Sequence, residues 1–175
     1  VCGARNPKEK SAMALARELG VLLAKNGFEV VTGATVGVSF ETVCGAKEAG
    51  GKAFGVSPAK DKQEHIEKFG YPVVNFDEIE FTGAGVPARN LLLVQKSDVV
   101  LFIGGGVGTL NELTIALQLQ KIIGVLESYG GVAANAKQIL SIIGMKNYNK
   151  IVFAKKPALL VKKILNKIKV AQNTS

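Results

Sequence analysis

A chain of 175 residues with 47% apolar and 21% charged residues has the make-up of a globular protein with one core and no second one. Its formal charge of +8 invites a nucleic-acid reading, but residues 1–127 carry 13 Lys+Arg against 14 Asp+Glu, while residues 128–175 carry 9 Lys and no acid. No apolar run reaches the ~18–20 residues of a membrane span, two cysteines make no disulfide framework, and a lone histidine excludes most His-based metal sites and any Ser-His-Asp triad away from residue 65.

In chain order, apolar β-rich runs alternate with helical patterns. Val1-Cys2-Gly3 reads as the stub of a first strand; the abrupt start implies that a leading segment is missing, and no secretory signal is visible. Asn6-Pro7-Lys8-Glu9 reads as a helix start, with Asn6 as N-cap, and Asn26-Gly27 as its stop. Phe28–Thr32 is a strand, Gly33–Gly37 a glycine-bearing turn, Ser39–Ala49 a helix and Lys52–Ser57 a strand. Residues 58–70 lack a period and read as a surface loop or short helix. Pro72–Phe76 and Glu78–Phe81 are extended, and Pro87–Lys96 is a helix. Asp98–Ile103 is apolar without alternation, as in a strand buried on both faces. Gly104–Gly108 is a turn and Thr109–Gln120 a helix. Ile122–Leu126, Val132–Ile143, Ile151–Ala154 and Ala158–Val170 continue as strand, helix, strand and helix.

This alternation predicts an α/β fold across residues 1–175: a Rossmann-like, doubly wound, mostly parallel sheet in a single domain, with helices on both faces. Ligands in such sheets bind beyond the carboxyl ends of the strands. The strand-to-helix turns at 3–6, 32–38, 82–88 and 104–109 should gather on that edge.

Gly104-Gly105-Gly106-Val107-Gly108-Thr109 carries the strongest local signal. Glycines let backbone N–H groups approach a bound group, and a helix start adds unpaired donors and a positive dipole end, which together suit phosphate. Lys is absent after Gly108-Thr109, so this is not a P-loop, and Thr109 stands where a dinucleotide fingerprint needs Gly. A plainer alternative is a capping box, with Thr109 as N-cap and Glu112 closing the helix start.

Gly105–Glu112 resembles the GGxGTxxE signature of the Lonely Guy (LOG), or "lysine decarboxylase-like", superfamily. Thr82-Gly83, Ala88-Arg89-Asn90 and the Gly33–Gly37 turn match as well. Gly104 stands in place of the usual Pro, Val38-Ser39-Phe40 in place of Leu-Met-Gly, and Ala88 and Asn90 flank the Arg. With Gly55–Lys60, these features are nearer the molybdenum-cofactor carrier branch.

The resemblance implies a site in which Gly104, Gly105, Gly106, Val107, Gly108 and Thr109 hold a phosphate. Gly33, Gly37, Arg5, Thr82 and Gly83 lie nearby, and Arg89 and Glu112 form the catalytic pair of any hydrolase. It implies binding of a nucleotide or a molybdopterin-like cofactor. The alternative is LOG-type cleavage of the N-glycosidic bond of nucleoside 5′-monophosphates, which requires no cofactor and no metal. An oxocarbenium-like transition state is stabilised by a carboxylate, and an Arg fork binds phosphate or ribose hydroxyls. No Lys has a pyridoxal-phosphate context, so the decarboxylase reading is rejected. The resemblance further implies a homodimer or dimer of dimers.

Of the remaining residues, Cys2 and Cys44 read as small buried apolar groups and His65 as a solvated histidine. In the last helix Val161, Ile164, Leu165 and Ile168 form a core stripe opposite a solvated lysine face. That face lacks the Arg and aromatic residues of a nucleic-acid binder. A cytoplasmic protein with a small-molecule ligand is expected.

Overall fold

The structure, a computed structural model, describes residues 1–5, 10–145 and 148–173. The helix start read at Asn6-Pro7-Lys8-Glu9 lies outside the described residues. The elements in order are β1 (Cys2–Gly3), α1 (Lys10–Lys25), β2 (Val30–Thr32), α2 (Val38–Glu48), β3 (Ala53–Ser57), α3 (Lys62–Glu67) and β4 (Glu78–Phe81). They continue with α4 (Gly85–Gln95), β5 (Val99–Ile103), α5 (Val107–Gln118), β6 (Ile122–Leu126), α6 (Gly131–Ile142), β7 (Ile151–Ala154) and α7 (Pro157–Gln172).

Every strand pairing is parallel. The strands form two ladders, β1-β5-β6-β7 and β2-β3-β4. The ladders adjoin where the Val1 nitrogen donates to the Val31 carbonyl at 2.5 Å. The expected Rossmann-like α/β arrangement is what is found.

Strand β5 organises the layers. Val100 and Phe102 face one side, packing with Leu93 and Val94 of α4, Leu113, Ala116 and Leu117 of α5, and Ala133 and Ala136 of α6. Leu101 and Ile103 face the other, against α1 and α7. A strand covered on both faces needs no polar alternation, which is why VVLFI reads as a continuous apolar run. Each large side chain buried in these layers contributes roughly 1.5–3 kcal/mol.

Three sequence expectations shift. Pro72–Phe76 is not a strand, because side chains tie it to α2 instead of to a ladder. Asn75, at φ 66°, donates from Nδ2 to Cys44 Sγ at 3.4 Å, and Phe76 packs on Phe40 with ring centroids 6.3 Å apart. Asp77 then accepts the Ala53 N–H at 2.7 Å and pairs with Lys47 at 2.7 Å. Second, the loop-or-short-helix reading of residues 58–70 narrows to its short-helix alternative over Lys62–Glu67, where Asp61 caps the helix by accepting the Glu64 N–H at 2.8 Å.

Third, His65 is not solvated but fully buried. Its Nε2–H donates to the Pro72 carbonyl at 3.1 Å. That fixes Nδ1 as the acceptor from the Ser57 hydroxyl at 2.8 Å. Tyr71 and Phe81 pack edge-on to the ring.

Candidate phosphate-binding site

The buried strand β5 runs directly into the glycine loop. Gly104 and Gly105 take positive φ values of 62° and 97°. A Cβ at Gly105 would collide with the Thr109 side chain, so that position requires glycine twice over. The carbonyls of Gly104 and Gly105 accept the N–H groups of Ala133 and Val132 at 3.0 Å each. The start of α6 therefore holds the loop's acceptors, and Gly131 allows this approach because a Cβ there would strike the Gly105 carbonyl.

Helix α5 starts at Val107, two residues before the expected start, with Gly106 as N-cap and no side-chain cap. Thr109 is thus not an N-cap, and Glu112 lies in the second turn, too far along to close a capping box. The physical reason is that Gly106 already supplies the non-helical cap conformation and Thr109 packs back under Gly105. The first intrahelical bond runs from the Leu110 N–H to the Gly106 carbonyl at 2.9 Å. The N–H groups of Val107, Gly108 and Thr109 precede it and have no partner within the helix. Gly106, Val107 and Gly108 are exposed, and a Cβ at Gly106 or Gly108 would meet open space. An open, uncapped helix start with its positive dipole end is a site for an anion.

Beneath the loop, Arg89 and Glu112 are only 5% and 7% exposed. Arg89 projects from α4, donating from Nη1 to the Val56 carbonyl at 3.2 Å, while its buried Nε has no hydrogen-bond partner. The guanidinium lies against Gly33, where any Cβ would displace it. Glu112 lies three residues after Thr109, on the same helix face. The Cys2 thiol lies beside its carboxyl.

Burial raises the Glu112 carboxyl above its ordinary value, although Arg89 pulls the other way. Burial lowers the Arg89 value, with Glu112 opposing. The Cys2 thiol is raised by burial first and by Glu112 second. Arg89, Glu112, Cys2 and Gly33 therefore form one desolvated cluster. The Asn90 Nδ2 to Asn111 Oδ1 hydrogen bond at 2.9 Å fastens α4 to α5 beside it.

The other expected site residues have local duties. Gly37 is buried and leaves room for the Ala4 and Arg5 carbonyls, which a Cβ would strike. Thr82 donates to the Ser57 carbonyl at 2.7 Å, and exposed Gly83 takes φ 62° in the turn that follows. Arg5 lies with its guanidinium 5.1 Å from the Tyr71 ring centroid. Cys44 is buried, as expected.

Cys2, Asn90 and Gly131 were missed. The period of two places Cys2, paired with Phe102, on the α5 side of the sheet, and that was the available signal. A cavity of about 510 Å³ is lined in part by Phe28, Val30, Lys96 and Ile164, and neither the glycine loop nor Arg89 nor Glu112 lines it.

The model of the SLOG cluster4 family matches residues 1–161. The chain belongs to the SLOG cluster4 family. The resemblance read in the glycine motif is thereby borne out. A curated relative from Archaeoglobus fulgidus is 30% identical over 113 residues, 65% of this chain and 69% of that protein. Among solved structures, the molybdenum cofactor binding protein of Rippkaea orientalis is 29% identical with a TM-score of 0.78, covering 95% of this chain and 93% of that one. The molybdenum cofactor carrier protein of Chlamydomonas reinhardtii is 26% identical with a TM-score of 0.78, covering 96% of each chain. The SLOG chain is thus near the carrier branch. None of its helices, among the described residues, is long and apolar enough to cross a membrane.

Proposed function

We propose that this SLOG cluster4 chain is a cytoplasmic binding protein for a phosphate-bearing cofactor or nucleotide, of which a molybdopterin-like ligand is the favoured example. The observation that carries the reading is the open amino end of α5: glycine-built, without a side-chain cap, and with its loop carbonyls held by α6. A phosphate there meets the N–H groups of Val107, Gly108 and Thr109 and the positive dipole end. The free Nε of buried Arg89 and the unpartnered hydroxyl of Thr35 are polar atoms that a bound group or its water would satisfy. The similarity to molybdenum cofactor binding and carrier proteins supports the ligand class. The metal chemistry belongs to such a ligand, and the protein supplies the phosphate cradle.

Binding is favoured over glycosidic cleavage because of Glu112. A carboxylate that stabilises an oxocarbenium-like state must be ionised and face the sugar. Here burial disfavours ionisation of the Glu112 carboxyl and holds it above its ordinary value.

Native mass spectrometry of the purified protein, followed by thermal denaturation with molybdopterin and with AMP, tests the reading. A ligand at 100 times its Kd adds about 2.7 kcal/mol and raises Tm by roughly 5–10 °C for a chain of this size. Neither ligand shifting Tm contradicts the proposal, and release of free adenine from AMP moves the assignment to a hydrolase.

A further inference from the structure

The amino edge of the sheet, beside β6 and β7, carries a surface that the candidate site does not use. Ile142 ends α6 and Ile143 follows it, 76% and 47% exposed, and Leu119 after α5 is 40% exposed. Single exposed aliphatics are ordinary, but two adjacent isoleucines form the tip of this helix. The tip is closed, not frayed. Gly144, at φ 75°, turns the chain back, and the Met145 N–H donates to the Leu140 carbonyl at 2.8 Å.

Lysines flank the tip. The Tyr148 hydroxyl donates to the Lys121 carbonyl at 2.7 Å, and Lys150 Nζ donates to the Gln120 carbonyl at 3.1 Å. Tyr148 is itself bonded to Met145, so the ends of α5 and α6 and the start of β7 make one patch. Lys169 is exposed in the last turn of α7. That helix reaches the same edge, where Ile168 and Gln172 line a cavity together with Ile122 at the start of β6. Among the described residues no carboxylate pairs with Lys121, Lys150 or Lys169, and residues 128–175 contain neither an acid nor an Arg. Glu29 before β2 and Asp98 before β5 lie on the side of β6 away from β7.

We propose that this patch docks on the anionic surface of a lipid bilayer. Residue type selects the occupant. Contacts with proteins and nucleic acids favour Arg, whose planar fork pairs with a carboxylate or phosphate through two bonds. Lysine is a point charge on a flexible stem, suited to a diffuse negative surface, where each one strengthens binding about fivefold. The isoleucine tip adds aliphatic side chains that enter the boundary between headgroups and acyl chains. Orientation follows from the topology. All strands are parallel, and the glycine loop leaves the carboxyl end of β5, while the patch lies at the amino ends of β6 and β7. The five residues of β5 separate the two edges by about 17 Å. The docked protein keeps its glycine loop open to solvent, and the inference does not depend on which ligand occupies that loop.

Co-sedimentation of the protein with phosphatidylcholine vesicles, with and without phosphatidylserine, tests it. The wild type is expected on the phosphatidylserine vesicles only, and should leave them at 1 M salt, where the Debye length falls to about 3 Å. The variant Lys121→Gln, Lys150→Gln, Lys169→Gln should bind roughly a hundredfold more weakly. Ile142→Ser, Ile143→Ser keeps every charge and should bind about tenfold more weakly. Lys62→Gln, on an exposed residue at the start of α3, should bind as wild type does. Circular dichroism checks that each variant is folded. A wild type that stays off both vesicles overturns the proposal, and its retention on immobilised polyglutamate would then assign the patch to an acidic protein. Unchanged binding in either patch variant overturns it too, as does a fivefold loss in Lys62→Gln.

Discussion

At the residue scale, the candidate site consists of two parts with different physics. The outer part is backbone: N–H groups at the start of α5, left open by glycines. The inner part is a desolvated set of side chains, Arg89, Glu112 and Cys2, held against Gly33. Burial sets a testable sign. A carboxyl whose folded pKa is raised contributes stability that is fully present below its unfolded value of 4.5, and loses it as pH rises through the folded value. Ionised Glu112 therefore costs stability near neutral pH. Glu112→Gln is expected to melt higher than wild type at pH 8, with the gap narrowing at pH 5. A variant less stable than wild type at pH 8 would mean that Glu112 is held ionised by Arg89.

The same residues show what was legible beforehand. The glycine run and Arg89 stand out because their residue types are chemically unusual in a strand-to-helix setting. The start of α5 was misjudged by two residues because Thr109 and Glu112 fit a capping box by spacing, while Gly106 supplies the cap by backbone conformation. Spacing does not distinguish the two. Cys2 was read as an inert apolar group because its partner, Glu112, is 110 positions away and meets it only across the folded layers.

At the scale of elements, the long periodic helices and the apolar strands were legible, and the region between β3 and α4 was not. Helix α3 is a six-residue helix, too short to show a period. Its one inward position, His65, sits among charged residues. Only the tertiary structure shows the histidine joining Ser57 at the end of β3 to the Pro72 carbonyl. That bridge positions Tyr71, and with it the ground on which Arg5 rests. His65→Ala removes two hydrogen bonds, leaves the Ser57 hydroxyl short of a partner and opens a cavity. It should cost about 2–4 kcal/mol in chemical denaturation. A loss below about 0.5 kcal/mol would show that the bridge does not anchor this segment.

At the scale of the whole molecule, the +8 charge and the site are separate. Helix α7 packs its apolar stripe on α1 and the sheet, turning lysines outward, while the glycine loop is covered from the α6 side. The double variant Lys162→Glu, Lys169→Glu should leave ligand affinity within about twofold of wild type, since both lysines are exposed and exposed charges are screened over a Debye length of about 10 Å at 0.1 M salt. A tenfold loss by calorimetry would implicate the lysine face in recognition.

The central claim is that the amino end of α5 binds the phosphate, and Gly106→Asp addresses it most directly. The position has open space for a side chain and a φ of −121°. Aspartate is a favoured N-cap, worth about 1 kcal/mol to the helix, yet its carboxylate would occupy the anion position and repel a phosphate. Calorimetric titration of wild type and Gly106→Asp with molybdopterin and AMP should therefore show binding lost in a variant whose Tm is unchanged or higher. Unchanged affinity in that variant would contradict the account and place the phosphate elsewhere.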